Sequence, residues 1–415
     1  MNQSKRKVRA HQGVLTPVET PLDTLKGSLF DTVVAQGLGV FRDMLEAEVA
    51  EICGERYRHI PGRKFRRWGK GRAMAAFDGR KITVEYNRVR NPEERREIRP
   101  SSLEQFHDIV GLLYRHTENM IVGVSTRKME RSLPAPPANQ KTYGSSKSAV
   151  SRNFIALTEK RLQEWMTRPL TGDYCFLMID GVRFQGDTVI VALGITYGGE
   201  KEVLGLRHGA TENARVCIDL LRELVERGLR TDRIQMATID GSKALRASLE
   251  EVIGESLPVQ RCQEHKKRNV LSYLPDTMQQ SVRMTMNQAY VQTDEATALQ
   301  LLEKTARSLD RAYPSAAASL REGMAETVTV LRLKMPPALR HSLSSTNIIE
   351  NVMGGVRLTT GRVRRWRGGN MVMRWVCAAL LESQKGFRRI RGYKEVGKWA
   401  DIRLDKSLDN VEKSA

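Results

Sequence analysis

The sequence predicts an α/β chain: a strand-rich core interrupted by an all-helical insertion, behind an N-terminal helical and β-hairpin region. Three observations lead there. Between Tyr174 and Cys262, short apolar runs alternate with amphipathic stretches in the order β-β-β-α-β-α-β, and a helical pattern follows. From about residue 276 to 335 the apolar spacing is helical throughout. Ahead of both, a basic, glycine-punctuated stretch from Gly62 reads as two strands and a turn.

Taken in order, Leu25, Leu29, Val33 and Val34, then Leu38, Phe41 and Leu45, give helical apolar spacing over 22–52, ending near Gly54, within an N-terminal helical region of residues 1–61. Phe65-Arg-Arg-Trp68 and Lys81-Ile-Thr-Val-Glu-Tyr86, with Gly79 between them, define a basic β-hairpin module over 62–100. Phe106, Ile109, Val110 and Leu113 resume helical spacing up to Gly123. A short helix from Ser125, a Pro-rich break (Pro134, Pro136, Pro137) and a helix opened by Ser145-Ser146-Lys147 complete a helix-turn-helix-like DNA-binding region over 101–168.

The first part of the core, 169–275, starts with the buried-strand run Tyr174–Asp180. Thr188–Ile195 and Glu202–Leu206 follow, joined through Gly198-Gly199. A helix bearing Val216, Leu220, Leu221 and Leu224 stops at Gly228, a natural C-terminal cap. Ile234–Asp240 is a fourth strand, Ser242–Gly254 a helix, and Pro258–Cys262 a fifth strand. The helical insertion spans 276–340, the second part of the core with its basic helices 341–395, and a tail 396–415.

Composition narrows the function. With 40% hydrophobic and 28% charged residues the chain has material for real cores. No apolar run approaches the roughly 20 residues needed to span a bilayer. The basic start is not followed by the apolar segment of a secretory signal. Five scattered cysteines without a Cys-x-x-Cys pair exclude a disulfide scaffold or a four-cysteine zinc site, and favour a reducing compartment. The expectation is a cytoplasmic protein without membrane contact.

Lys and Arg number 68 against 48 Asp and Glu, a net charge of +20, and the excess is concentrated. Arg56–Arg99 holds 15 basic against 5 acidic residues, and Arg357–Lys394 holds 11 against one, Glu382. The second block interleaves Trp366, Trp375, Phe387 and Tyr393. Clustered arginine with aromatics suits a phosphate-rich partner, so nucleic acid leads. The arginines are broken by glycine and form no single amphipathic face, which disfavours a membrane surface.

Asp180 and Asp240 each close an apolar strand run and each precede glycine. An ionised carboxylate at the end of a buried strand is costly unless solvated, paired or bound to a metal. If both strands are central and parallel, their ends lie side by side at the sheet edge where ligands bind. Glu350, in Ser344-Ser-Thr-Asn-Ile-Ile-Glu350, is the third acid candidate. Locally it also reads as the third residue of a capping box opened by Asn347. Three carboxylates form an oxygen-rich site suited to Mg²⁺, and two such ions can activate an attacking oxygen and stabilise a leaving one. The simpler reading of either Asp-Gly pair alone is a turn.

The order Asp180, Asp240, Glu350 resembles the DDE triad of the bacterial Mutator-type insertion-sequence transposases. So do Gln260-Arg-Cys-Gln-Glu-His265 with Lys266-Lys-Arg-Asn269, Ser345-Thr-Asn-x-x-Glu350 and Arg364-Arg-Trp-Arg-Gly-Gly369. Gly123-Val-Ser-Thr-Arg-Lys-Met-Glu-Arg131 and Ser146-Lys-Ser-x-Val-Ser-Arg152 carry the likeness to the N-terminal half. It runs from about residue 30 to 395. The resemblance implies an RNase H-like catalytic core that cleaves DNA and transfers strands at terminal inverted repeats. It further implies two Mg²⁺ (or Mn²⁺) ions held by Asp180, Asp240 and Glu350, and a homodimer or higher oligomer on double-stranded DNA. Two positions depart from the family pattern: Ala244 replaces a usual glycine, and no Trp lies between His265 and Glu350.

Cys262 and His265 resemble half of a zinc site, but no second half follows at suitable spacing. They are expected to support the acids, His265 by orienting a carboxylate or contacting the scissile phosphate. Arg127, Lys147, Ser151 and Arg152 are the expected DNA readers, and Arg362, Arg364, Arg365 and Arg367 the expected backbone clamp. A catalytically silent DNA-binding derivative and a structure-selective nuclease are the competing readings.

Overall fold

The computed structural model describes residues 21–412 apart from 78, 107–108, 134–140, 185–186 and 210–212, so the Pro-rich break lies outside the described residues. The chain forms two compact units and passes between them three times. One runs to Asn119 and resumes over Val124–Phe154; the other holds Met120–Gly123 and continues from Ile155.

In the first unit, α1 (Pro21–Cys53) lies on a sheet of β1 (Arg66–Phe77), β2 (Arg80–Asn91) and β3 (Arg96–Ile98). Leu38, Phe41 and Leu45 of the helix bury against Ala75, Ile82 and Val84 of the hairpin, and Val49 and Cys53 join Val89. Alternation along β2 places Ile82 and Val84 on one face. Helices α2 (Ser101–Phe106), α3 (Ile109–Ile121) and α4 (Met129–Ser132) follow, then β4 (Thr142–Tyr143) and α5 (Lys147–Thr167). The helix expected from Ser125 begins only at Met129. The two-residue β4, which pairs with Lys81 and Ile82, is too short to leave a periodic signal. Buried His116 ties the layers, one ring nitrogen 2.9 Å from the Gly79 carbonyl oxygen and the other 3.0 Å from Asn153 Nδ2.

The second unit is built on a five-stranded sheet: β5 (Tyr174–Phe184), β6 (Asp187–Thr196), β7 (Lys201–Gly209), β8 (Met236–Ile239) and β9 (Val259–Arg261). Its spatial order is β7-β6-β5-β8-β9; β5–β6–β7 are antiparallel, and β8 and β9 run parallel to β5. Strand β5 is covered on both faces, which is why its run of apolar residues does not alternate with polar ones. Leu177 and Ile179 face α6 (Ala214–Glu226) and α7 (Lys243–Val252), while Phe176 and Met178 face the larger helical layer. Each such fully buried side chain contributes about 1.5–3 kcal/mol.

That layer comprises α8 (Gln263–Leu271), α9 (Asp276–Tyr290), α10 (Glu295–Leu309), α11 (Pro314–Arg321), α12 (Thr329–Arg332) and α13 (Pro337–Leu343). It continues with α14 (Asn347–Thr360), α15 (Gly369–Gln384) and α16 (Tyr393–Glu412). Two expectations are corrected here. The basic block is not helical throughout, because residues 361–368 form a loop between α14 and α15. Residues 396–412 are no loose tail: they belong to α16, which buries Val396, Trp399 and Ala400, with Trp399 5.5 Å from the Phe176 ring. No helix among the described residues is long and apolar enough to cross a membrane.

Candidate active site

Parallel pairing of β5 and β8 runs in register as far as Ile179 opposite Ile239 and then stops. Asp180 and Asp240 are the next residues on the two chains. Asp180 is not the end of its strand, as the apolar run suggested: β5 continues to Phe184, with Asp180 opposite Val191 of β6. The two aspartates therefore sit where one strand goes on and its parallel neighbour leaves. By alternation Asp180 shares the face of Phe176 and Met178.

Asp240 Oδ1 accepts from the Ser242 amide at 2.9 Å, so the turn reading of Asp-Gly also holds there. Gly241 has φ +102°, and a Cβ on it would lie 2.2 Å from Arg261 Nε. Ala244 falls in the first turn of α7, after its N-cap Ser242, where nothing calls for glycine.

Glu350 arrives from far along the chain on a stitched segment. Thr238 Oγ1 donates to the Leu343 carbonyl at 2.9 Å, and the Gln263 amide to the Ser344 carbonyl at 3.0 Å. The expected capping box does not form. Thr346 is the N-cap and Asn347 the first helical residue, and no side chain caps the helix. The Thr346 hydroxyl lies instead 3.5 Å from Cys262 Sγ and 3.3 Å from His265 Nδ1. His265 Nε2 is 3.3 Å from Glu350 Oε1, and Arg268 Nη2 is 3.4 Å from Glu350 Oε2.

The electrostatics follow from this crowding. Burial pushes the Asp180 carboxyl up to about 7, with the negative charges of Asp240 and then Glu350 adding to it. His265 is pushed up to about 9 by its hydrogen bond with Cys262, reinforced by Asp180 and Glu350. Burial raises the Cys262 thiol, but hydrogen bonds from His265 and Thr346 outweigh it and hold it below its usual range. Cys262 stands immediately after β9 and is fully buried. The donor set at the acids is oxygen-only, as a hard cation prefers. Among the described residues, no three His, Cys, Asp or Glu side chains converge tightly enough to hold one ion.

The segment from Gln260 also anchors the helices beyond it. Gln260 Nε2 and Gln263 Nε2 each donate to the Thr327 carbonyl at 2.8 Å, and Gln260 Oε1 accepts from the Val330 amide at 2.9 Å. Arg261 and the fully buried Lys266 both donate to the Glu322 carbonyl, capping the end of α11. Sequence reasoning gave Thr346, Arg261, Lys266 and Arg268 no role. Their only signal was membership of the motifs around Cys262 and Glu350.

The structure thus brings Asp180, Asp240, Glu350, Cys262 and His265 to one place. Arg362, Arg364, Arg365 and Arg367 are exposed on the 361–368 loop, although Arg362 donates to the Gly123 carbonyl. Arg127, Lys147 and Arg152 are exposed and Ser151 half-buried, all in the first unit.

Known proteins give this arrangement its context. The chain is 26% identical to the transposase for insertion sequence element IS1081 of Mycobacterium tuberculosis, over 95% of its own length and 92% of the relative's. It is 26% identical to the ISRM5 transposase of Rhizobium meliloti over 89% of its length and 91% of the relative's. The IST2 transposase of Acidithiobacillus ferrooxidans is 29% identical over 42% of this chain and 58% of its own. The profile of the Mutator transposases matches residues 22–389, nearly the whole described chain. The chain belongs to the Mutator family of transposases.

Proposed function

We propose that the chain is a DDE transposase that cleaves DNA and joins strands at the terminal inverted repeats of an insertion sequence. One observation carries the reading. Asp180, Asp240 and Glu350, far apart in sequence, come together where two central parallel strands part, and burial, with the charges of Asp240 and Glu350 adding to it, lifts Asp180 to about 7. A carboxylate buried at such a place is costly to keep ionised in a fold and is suited to a divalent cation. The sheet order, an antiparallel trio followed by two parallel strands, supports an RNase H-like core, with 276–340 inserted before Glu350.

Asp180, Asp240 and Glu350 would hold two Mg²⁺ (or Mn²⁺). When bound, these supply Lewis-acid activation of the attacking oxygen and stabilisation of the leaving one. The chain's own groups set the geometry. Thr238 and Gln263 fix the segment that carries Glu350, Cys262 Sγ accepts from the His265 backbone amide, and the Thr346 hydroxyl holds the His265 ring. His265, largely protonated at neutral pH, and Arg268 hold the Glu350 carboxylate and put positive charge beside the place for the scissile phosphate. Exposed Arg364, Arg365 and Arg367 clamp the backbone without reading sequence. Lys147, Ser151 and Arg152 on α5, with Arg127, read the ends, and the 62–100 hairpin grips phosphates. Double-stranded DNA is the partner, and paired ends call for a homodimer or larger assembly.

Asp180→Asn, Asp240→Asn and Glu350→Gln should each abolish cleavage and strand transfer in Mg²⁺ while leaving DNA binding largely intact. Near-normal strand transfer by any of them removes that residue from the site. Wild-type protein that binds end DNA tightly and never cuts it would favour the silent derivative.

A further inference from the structure

The β1–β2 hairpin carries an aromatic group that the fold presents rather than buries. Pairing slips by one residue between Arg67 and Lys70, so Trp68 and Gly69 form a bulge opposite Arg88. Gly69 takes φ +80°, and a Cβ there would meet nothing within 4 Å. Its glycine is needed for the backbone turn, not for space. Bulges re-aim side chains, and this one leaves the Trp68 indole 46% exposed. Arg90, across the hairpin, places its guanidinium carbon 5.0 Å from the indole centroid.

The charges around the bulge differ from those on the rest of the hairpin. Arg72 is paired with Glu85, Arg88 with Glu97 and Arg67 with Glu46. Arg66, Lys70 and Arg90 make no ion pair among the described residues. The half-exposed indole thus sits under Arg90, whose cross-strand neighbour on β1 is Arg66, and Lys70 follows the bulge, all on or beside the open edge strand of the sheet. The Arg90 contact covers only part of the indole, and the rest of the ring stays open to solvent beside basic side chains. A polyanion carrying flat apolar groups satisfies both, because cations take the phosphates and the ring takes a base or sugar.

We infer that Trp68 is a DNA-contacting residue that packs against a base or deoxyribose while Arg66, Lys70 and Arg90 hold the flanking phosphates. The inference rests on the DNA-binding reading of this module and adds a non-ionic contact to it. The two parts are separable by salt. A cation that contacts a phosphate contributes to the salt slope of binding; a stacked ring does not.

The test uses the full chain and a synthetic duplex bearing the element's end, titrated at several salt concentrations. Trp68→Ala should weaken binding about tenfold with an unchanged salt slope. Arg66→Gln, Lys70→Gln and Arg90→Gln combined should flatten the slope by up to ~3. The indole's fluorescence should change on DNA addition in wild type and lose that component in Trp68→Phe, which keeps an aromatic ring and secures the comparison if the alanine variant misfolds. Unchanged affinity in Trp68→Ala, or an identical fluorescence response in Trp68→Phe, overturns the inference. If the triple variant still flattens the slope, the module's phosphate contacts survive that failure. If neither variant changes anything while wild type binds, the whole hairpin is removed from the DNA interface.

Discussion

Asp180→Asn should stabilise the fold at alkaline pH while ending catalysis, and the size of the effect follows from the crowding of the acids. An aspartate in the unfolded chain loses its proton near 3.8; in the folded chain burial and the charges of Asp240 and Glu350 hold Asp180 to about 7. Between those values the native state binds one more proton than the unfolded state, so stability falls as pH rises. Below about 3.8 there is no penalty; above 7 it is complete. At about 1.4 kcal/mol per unit, a rise of roughly three units sets a ceiling of about 4 kcal/mol. Asparagine keeps the shape without the charge and escapes the penalty. Denaturant unfolding of wild type and variant, monitored by the second unit's tryptophans, should show a gap that widens from pH 5 to 7 and is level above it. Millimolar Mg²⁺ at pH 8 should close the gap by stabilising wild type only. A gap independent of pH, or a variant less stable than wild type at pH 8, would refute the reasoning.

Replacing Arg364, Arg365 and Arg367 together with Gln should weaken binding to end and random DNA alike and flatten the salt slope by up to ~3; parallel titration lines at equal affinity would show that the loop never touches DNA. Lys147→Gln with Arg152→Gln should cost affinity for end DNA more than for random duplex, and equal losses in footprinting would move end recognition away from α5. Trp399→Ala should cost about 3–5 kcal/mol in unfolding free energy, because its ring packs on Phe176 and its indole N–H donates to the Leu333 carbonyl. A variant as stable as wild type would mean that α16 does not close the core.

The local pattern of the sequence determined every strand of the five-stranded sheet and the helices between them, since runs buried on both faces, such as Tyr174–Ile179, have no polar interruptions to disguise them. It also marked Asp180 and Asp240, because an acid at the edge of an apolar run violates the pattern around it; Glu350 stood out only through the Ser-Thr-Asn-x-x-Glu motif. It did not determine where those acids stand. Asp180 lies within its strand, and only the pairing of β5 with both β6 and β8 makes it an edge; the β8 pairing joins residues about 60 positions apart, beyond the reach of any periodicity. The Asn347 cap failed for a similar reason. The helix starts one residue earlier than the local pattern suggested, with Thr346 as N-cap, and the Thr346 hydroxyl has its partner, Cys262, more than 80 residues away. Arg268 and Lys266 read alike as basic residues of one motif, yet one reaches Glu350 and the other is buried under Glu322. The helical phase of α8 and what packs on each face separate them, and only tertiary structure fixes what packs there.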